Sequence, residues 1–412
     1  MYERSMRMFL EEKSSYSPLR LKTLMWLATA KRSLPARELG EAIHVGTDQN
    51  GMLQGSLQNL DQLLASYTNI IQLDEVDKIV KFRFPAMREF LLQNPSFSRD
   101  ANQEVAMACI NYLTSDAFRQ GACTSLRSYL ARLHAHPFLD YVQRYLGDHL
   151  SRCVPEQTLH PLLQFIGDRN ITDSYLQAYH ASHDRLDPSD SYTWKIELHD
   201  GFTKGYTALH LACMLSHRPL VETLIGRGSE ISPKDADGTT PLHIVVGVAE
   251  DPSLVRLLLD SGADIFARDQ DGQTALHTAA GCGRVMNVRL LLDYGADIEA
   301  VDSFGTTPLM VAATDNDDPE VVNFLIQSGA CLSSTDEHGN TALHLAVEST
   351  NDYTIPTLLN KGMDISIKNY DGETALDYAN ACGDPDIILL LAGAWMLHTQ
   401  ANSQSSDPSF RK

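Results

Sequence analysis

The residues that could bind a metal ion in this chain are two closely spaced histidine pairs. They are His134 with His136, and His180 with His183. Imidazole is a common zinc ligand, but a protein zinc site needs three or four ligands. Neither pair has a cysteine or a cluster of acids beside it in the sequence. We therefore interpret these histidines as helix-surface residues and predict no metal and no cofactor.

Catalytic motifs are also missing from the sequence. It contains no Gly-x-Ser-x-Gly nucleophile turn and no His-Glu-x-x-His metal-binding motif. The densest acids, Asp315, Asp317 and Asp318, precede a proline between two predicted helices, where capping and solvation explain them. These observations predict that the protein is not an enzyme. The alternative is a catalytic site within residues 93–199, where no nucleophile or metal-binding pattern supports it.

A further set of histidines recurs at one place in a repeated motif. Thr-x-Leu-His ends at His210, His243, His277 and His344, and two more copies carry Met310 and Asp377 instead. A catalytic base is needed once, whereas a residue that recurs at equal intervals serves each copy of a fold. We therefore predict that these imidazoles brace loops.

The repeat that contains this motif has a period of 33 or 34 residues. Its marker is Gly-x-Thr-Ala/Pro-Leu, with leucines at Leu209, Leu242, Leu276, Leu309, Leu343 and Leu376. A second glycine series runs in step: Gly228, Gly262, Gly295, Gly329 and Gly362. The period and the Thr-Pro-Leu-His motif resemble those of the ankyrin repeat. That resemblance implies six copies, each a helix hairpin with a turn, and partner binding through the turn tips and first helices.

The residues of one copy predict the same unit. Thr240 can cap a helix, and Pro241 then occupies the first helical position, where its missing N–H costs nothing. Val255, Leu258 and Leu259 have the spacing of one helix face. Gly262 follows, where a left-handed residue ends a helix. One hairpin cannot bury its apolar stripe alone, so the copies must stack into a solenoid.

The charge of the chain is concentrated in this repeat region. Residues 200–395 carry 10 Lys and Arg against 29 Asp and Glu, a net charge of −19, while the whole chain has −20. An acidic array repels phosphate backbones, so we predict no nucleic acid and no nucleotide as partner. It favours a protein partner with a basic surface. The alternative is that aspartate is simply the turn-forming residue of each copy.

Composition favours an intracellular protein. No run of 18 apolar residues and no apolar signal core occurs, so we predict neither a membrane span nor secretion, and a location in the cytoplasm or nucleus. The seven cysteines are scattered without a Cys-x-x-Cys pair, which favours free thiols.

Residues 18–92 predict a different module. Leu19–Ala30 has helical periodicity, a second helix begins near Pro35, and a third is predicted at residues 57–64. Ile70–Leu73 and Ile79–Phe84, separated by a polar turn, predict a β-hairpin. Three helices and a hairpin make a winged helix. DNA binding through it is disfavoured because no Lys or Arg lies between Arg37 and Lys78.

The amino-acid sequence of this module is similar to that of the winged helix that follows the NACHT ATPase in fungal NACHT–ankyrin proteins. The similar segments are Tyr2-Glu-Arg-Ser-Met, Leu21-Lys-Thr-Leu-Met-Trp-Leu27, Ala30-Lys-Arg-Ser-Leu34 and Phe84-Pro-Ala-Met-Arg-Glu-Phe-Leu91. Phe84 and Ala86 stand where that family has His and Ser. The resemblance extends through the helical region to about residue 180. It implies a regulatory partner or shortened paralogue of a NACHT-type signalling ATPase.

The predicted fold is therefore mainly α, a six-repeat ankyrin solenoid preceded by a winged-helix and helical region. The predicted segments are an N-terminal helix (1–17), the winged helix (18–92), a helical region (93–182), a linker (183–199), the repeats (200–234, 235–268, 269–301, 302–335, 336–368 and 369–395) and a disordered tail (396–412).

We predict a non-enzymatic scaffold or adaptor that binds a protein through exposed, variable residues near the repeat tips. The candidate contacts are Gln270, Gln273, Ser303, Phe304, Thr306, Glu337, His338, Asn340, Tyr370 and Glu373. Phe304 and Tyr370 are the strongest because aromatic side chains are enriched at binding hot spots. The alternative for each aromatic is that it covers a neighbouring turn.

The absence of a phosphate-binding loop gives a first testable prediction. The dipeptide Gly-Lys, which NACHT ATPases need in that loop, does not occur in the chain. We expect no ATP binding by titration calorimetry and no release of phosphate. Saturable ATP binding that a point mutation in this chain abolishes would contradict the prediction.

Overall fold

The structure is a computed structural model that describes residues 18–45, 70–74, 76–123, 125–153, 155–183, 205–249, 251–315 and 319–405. It is mainly helical, as the sequence predicts. The chain divides into two compact units, one ending at Arg227 and the other beginning at Gly228. The helix predicted at 1–17 and nearly all of the linker predicted at 183–199 lie outside the described residues, so those boundaries stay predictions.

The first unit consists of helices with one small sheet. Its elements are α1 (Pro18–Thr29), β1 (Leu34–Pro35), α2 (Ala36–His44), β2 (Ile71–Leu73), β3 (Ile79–Phe82), α3 (Ala86–Leu92), α4 (Pro95–Leu113), a 3₁₀ turn (Asp116–Phe118), α5 (Leu126–Ala135), α6 (Phe138–Leu150), α7 (Pro155–Gly167), α8 (Arg169–His183), α9 (Ala208–Met214) and α10 (Arg218–Gly226).

The sheet contains the predicted hairpin and one strand that the sequence did not indicate. β2 and β3 pair antiparallel with Ile71 opposite Phe82. β1 pairs with the other edge of β3, with Leu34 opposite Val80, so the strand order is β1-β3-β2. A two-residue strand is too short to show an alternating pattern. The helix predicted at residues 57–64 lies outside the described residues.

An aromatic core and an ion-pair network join α1 and α2 to the later helices. Trp26 is fully buried and meets Phe138 edge-on, with ring centroids 5.2 Å apart. Arg32 donates to Glu38 at 2.8 Å and to Asp140 at 3.0 Å. Because Glu38 lies on α2 and Asp140 on α6, one guanidinium connects the sheet-bearing region to the helices that follow it.

The pair α9–α10 packs on α7 within this unit. The hydroxyl of Thr158 and Nε2 of His217 are 3.1 Å apart and buried. Gly147 lies close to the backbone of Leu215, where an added Cβ would sit 3.4 Å from the carbonyl oxygen. The helical region therefore covers one side of the first repeat-like helix pair.

The second unit is a series of short helix pairs. They are α11 (Pro241–Val248) with α12 (Ser253–Asp260), α13 (Ala275–Gly281) with α14 (Val285–Asp293), α15 (Pro308–Asp315) with α16 (Glu320–Gln327), α17 (Ala342–Glu348) with α18 (Thr354–Asn360), and α19 (Ala375–Cys382) with α20 (Pro385–Ser405).

Successive pairs bury the predicted leucine stripe between them. The first helices pack against each other along the series from α11 to α19, and the second helices do so from α12 to α18. Leu258, Leu291 and Leu325, one per pair, are completely buried. Gly262 and Gly295 follow α12 and α14 with φ of 90° and 89°, the left-handed conformation that glycine adopts without a Cβ clash.

Two departures from the regular repeat occur in the last pairs. One is Pro356 in α18, which begins at Thr354, so the proline lies in the first turn, where no backbone donor is needed. The other departure is α20, which continues to Ser405, whereas composition predicts a disordered tail from residue 396. Among the described residues, no helix combines the length and apolar character that crossing a membrane requires.

The buried stripe yields a stability prediction. We expect Leu291→Ala to destabilise the protein by about 2–5 kcal/mol, as for a buried leucine whose cavity does not collapse. Gln273→Ala, at a half-buried position outside the stripe, should change stability little. Urea unfolding followed by circular dichroism measures both variants. Equal midpoints for Leu291→Ala and the unsubstituted chain would show that the helix faces are wrongly assigned.

Candidate protein-binding surface

Each turn between helix pairs is built around one carboxylate or amide. In the turn that begins at Asp269, Oδ1 of that aspartate accepts from the backbone N–H of Asp271 at 3.0 Å and of Gln273 at 2.8 Å. Asp235, Asp302, Asp336 and Asn369 make the same two contacts in their turns. These aspartates are therefore turn-forming residues, and part of the acidic composition has a structural cause.

The tips of neighbouring turns are joined backbone to backbone. Gln270 donates its N–H to the carbonyl of Asp237 at 2.7 Å, and Ser303 does the same to Asp271 at 2.8 Å. Glu337 and Tyr370 continue the series with the carbonyls of Phe304 and His338. Consecutive tips are thereby held in one row, so side chains on different tips have fixed spacing.

One glycine shows how closely the tips approach. Gly272 has φ of 77°, and a Cβ added there would lie 2.8 Å from the backbone nitrogen of Ser303 in the next tip. No side chain fits that gap, and the backbone conformation itself disfavours one. The glycine of the sequence marker is therefore required by both the turn and the neighbouring tip.

The motif histidines brace these turns, as predicted. Nδ1 of His277 accepts from the backbone N–H of Thr274 at 3.1 Å, and its Nε2 lies 3.1 Å from the carbonyl of Thr306 in the next turn. Because a carbonyl only accepts, Nε2 carries the proton. His243 and His344 make equivalent contacts with Gln273 and Glu373.

Two copies replace the histidine with other acceptors. Sδ of Met310 receives the N–H of Thr307 at 3.5 Å, a weak contact. The carboxylate of Asp377 accepts the N–H and the hydroxyl of Thr374, both at 2.8 Å, and these bonds hold the pKa of Asp377 below its usual value. Neither residue reaches the next turn in the way that His277 does through Nε2.

The structure places most predicted contact residues at the surface of the tips. Gln270, Ser303, Phe304, Glu337, His338, Tyr370 and Glu373 are exposed, and Gln273 and Thr306 are half-buried. The ring of Phe304 is 52% exposed and that of Tyr370 is 77% exposed. Tyr370 also lies against Gly339, where an added Cβ would be 2.8 Å from its ring. Tyr370 therefore covers a neighbouring turn while keeping most of its surface open.

Asn340 departs from the expectation that it is exposed. Its side chain is only 4% exposed and donates from Nδ2 to Asp336 at 3.2 Å. Its Oδ1 accepts from Asn369 at 3.1 Å and from Tyr378 at 3.2 Å. A tip position with both amide atoms bonded inside the protein stabilises the loops, so we remove Asn340 from the contact surface.

The structure adds contact positions that the sequence reasoning omitted. Asp237, Asp271 and Asp371 are exposed and occupy the tip position equivalent to that of Phe304. On the first helices, one turn from the tips, a partly exposed row continues the surface: Ile244, Thr278, Leu345 and Tyr378. The 33- and 34-residue register alone would have found both sets, because it assigns equivalent positions in every copy.

The electrostatics of the tips are acidic. Desolvation, followed by repulsion from Asp235, Asp271 and Asp269, raises the pKa of Asp237. Two nearby basic side chains donate hydrogen bonds to backbone carbonyls. Arg268 donates to the carbonyls of Gly272 and Val301, and Lys234 donates to the carbonyl of Arg268. The tip row therefore presents crowded carboxylates whose repulsion a cation would relieve.

This architecture and the sequence comparisons agree on the family. The family model for ankyrin repeats matches residues 179–265, 242–336 and 312–403, more than half of the chain. The chain belongs to the ankyrin-repeat family. It is also 32% identical over 201 residues to the Danio rerio protein named "Putative palmitoyltransferase ZDHHC13". That match covers 48% of this chain and 21% of the relative, so the chain spans about a fifth of that protein.

The bracing histidines give a prediction about pH. Burial lowers the pKa of His243, His277 and His344 below the ordinary value. Below about pH 6.5 the unfolded imidazoles take up protons that the folded ones refuse, so stability is present above that pH and is lost as pH falls. We expect the free energy of unfolding to decrease between about pH 7 and pH 5.5.

His277→Met, the residue that the chain itself carries at the equivalent position 310, isolates one histidine. All other titrating groups are common to the two proteins, so the variant should lose less stability over this range than the unsubstituted chain. Urea unfolding at several pH values gives the comparison. Identical pH dependence in the two proteins would mean that His277 does not differ in pKa between folded and unfolded states.

Proposed function

We propose that this protein is a non-enzymatic binding module that holds a protein partner on the row of repeat tips. The observation that carries the proposal is the backbone-joined series of tips, from Asp237 to Tyr370, with exposed aromatic rings among exposed acids. A rigid row loses little conformational freedom on binding, which favours affinity. Ankyrin repeats support a protein-interaction role for the chain.

The chemistry of the row suggests what kind of partner it accepts. Phe304 and Tyr370 offer exposed apolar area on residues whose backbone is hydrogen-bonded to a neighbouring tip. Aromatic side chains in such positions often carry a large part of a binding energy. The carboxylates of Asp271 and Glu337 lie on the two tips that flank the tip of Phe304, and they favour Lys or Arg opposite them. We propose a basic protein surface or segment with apolar residues between its cations.

The finer architecture is also a proposal. We propose six ankyrin repeats, from the pair α9–α10 to the pair α19–α20, which the equal marker spacing supports. The relative's printed name concerns palmitoyl transfer. A shared stretch that amounts to a fifth of that relative does not carry such an activity to this chain. We propose that this chain contributes binding and not catalysis.

A second candidate function rests on the first unit. The strand order β1-β3-β2 with α1 and α2 beside it supports a winged helix, the module that the NACHT–ankyrin resemblance implies. In that case the protein pairs, through this module, with a separate NACHT-type ATPase and regulates it. The tip row would then hold a second protein, so the two functions are compatible.

Substitution of the aromatic residues tests the tip surface. Partners are captured by the full chain from a cell extract, identified by mass spectrometry and purified for titration. We expect Phe304→Ala with Tyr370→Ala to weaken binding by at least about tenfold without a change in the unfolding midpoint, because both rings lie outside the buried stripe. Capture of a NACHT-type ATPase that survives the double substitution would support the second candidate.

Two further readouts complete this test. Met286→Ala is the control, since Met286 is exposed at the start of α14, at the opposite end of its helix pair from the tip. Binding to the acidic row should also weaken as salt rises, because screening shortens electrostatic reach to about 8 Å at physiological ionic strength. Unchanged affinity in the double variant would move the interface elsewhere, and salt-insensitive binding would reject the electrostatic contribution.

A further inference from the structure

The helix α20 exposes four large apolar side chains. Leu389 is 74% exposed, Met396 is 64% and Leu397 is 69%, and Leu390 is also exposed. In register with Leu258, Leu291 and Leu325, position 389 is polar in three earlier pairs, as Arg256, Arg289 and Asn323, and is Pro356 in α18. The solvated end of a repeat array normally has a polar outer face, which keeps the protein soluble. This surface is therefore built for contact.

The exposed residues form one continuous stripe. Leu389, Leu390, Gly393, Met396 and Leu397 are spaced by three, four and seven residues, which places them within one third of the helix circumference. We call this stripe the end face. Ile387 and Leu391, on the opposite side of α20, are buried. An added Cβ at Gly393 would meet nothing within 4 Å, so the centre of the end face is open.

In one earlier pair, the residue equivalent to Leu389 contacts the next pair. This residue, Arg289 on α14, lies over the ring of Phe324 on α16, 4.4 Å from the centroid. In the described part of the chain, no helix follows α20 in the series. Leu389 therefore lies on the side of its helix pair that would pack against a following pair.

The order of residues makes the end face of one copy complementary to the end face of a second copy. In an antiparallel pair of α20 helices with a two-fold axis at Gly393, Leu389 of one copy comes opposite Leu397 of the other, and Leu390 comes opposite Met396. An interface between identical copies needs such self-complementarity. Gly393 on the axis lets the two backbones approach closely, and the helix dipoles oppose each other favourably.

The distribution of charge also favours a second copy of the chain as the partner of the end face. Each chain carries −20, nearly all of it on residues 200–395, so two copies repel each other through their repeat regions. The stretch from Ile387 to Ser405 contains no Asp, Glu, Lys or Arg. The antiparallel register places Asp386 opposite position 400, a glutamine, whereas a parallel register would place Asp386 opposite its own copy. Two copies therefore meet with least repulsion along α20.

We propose that the end face is a self-association surface through which two copies of this chain pair by antiparallel contact of α20. The size of the surface sets the strength. Apolar patches of about 300–600 Å² are the largest on typical monomers. Two such patches together bury about 600–1,200 Å², at or below the low end for specific interfaces. The dimer is accordingly weak and forms as concentration rises.

Analytical ultracentrifugation of the full chain, from about 1 to about 100 μM, tests the proposal over the range of weak complexes. We expect a monomer at the low end and a dimer at the high end. Added salt should strengthen the dimer, because it screens the repulsion between two acidic chains. Salt weakens partner binding at the tips under the proposed function, so the two proposals fail or hold separately. A monomer at every concentration and salt would overturn this one.

Exposed positions allow a matched pair of variants. Leu389→Gln with Leu397→Gln should weaken association at least about tenfold, a change of about 1.4 kcal/mol, without altering the unfolding midpoint. Phe266→Gln with Met286→Gln, at positions 62% and 56% exposed, is the control and should leave the dimer intact. A dimer that persists in the first variant forms through another surface, which contradicts the proposal.

Cysteine cross-linking determines the register. In a chain whose exposed Cys282, Cys331 and Cys382 are replaced by serine, Leu389→Cys mixed with Leu397→Cys should form a disulfide between copies. Leu389→Cys alone should not. Cross-linking of Leu389→Cys with itself would reject the antiparallel arrangement. A full chain that stays monomeric while a chain ending at Ser405 dimerises would show that residues 406–412 occupy the end face, and this also overturns the proposal.

Discussion

The structure of the repeat unit depends on one constraint, that a short helix pair cannot bury its own apolar stripe. Leu291 is fully buried only because the pairs on either side of α13–α14 pack against it. Stability in such an array is a sum of nearest-neighbour contacts. The backbone bonds between tips and the bridge from His277 to Thr306 follow from the same stacking, because they require the next copy at a fixed distance. The proposed binding surface is therefore a consequence of the stacking that completes the core.

The sequence predicted the parts of the structure that repeat. Local residue preferences that recur in every copy predicted these parts. They include the helix caps at Thr240 and Thr274 and the glycines after α12 and α14. What the sequence missed depends on contacts between distant residues. Asn340 looks like any polar tip residue, and only the positions of Asn369 and Tyr378 show that it is buried. β1 forms because it pairs with the free edge of β3, and the sequence of a two-residue segment does not indicate such a pairing.

The candidate surface was predicted in outline for the same reason. The tips were found because the marker glycines give the register, and Phe304 and Tyr370 are exposed as expected. Asp237, Asp271 and Asp371 were omitted because every aspartate in a turn was attributed to turn formation, although the repeat register separates the aspartate that builds the turn from the one two residues later that faces solvent. The extension of α20 was unexpected because its last residues, from His398 to Ser405, read as a polar tail.

Two surfaces with different chemistry result from this arrangement. The tips combine carboxylates with aromatic rings, which suits a basic partner, and the end face is uncharged and apolar. Pairing of two copies would present two tip rows on one assembly and raise the effective affinity for a partner with repeated basic segments.

Hydrogen–deuterium exchange of the full chain, with and without a captured partner, shows where the partner binds because it reports on backbone amides throughout the chain. If the partner binds the tip row, we expect added protection within residues 269–273, 302–306, 336–340 and 369–373, with none on α12, α14 and α16. Protection confined to those second helices or to residues 18–183 would contradict binding at the tip row.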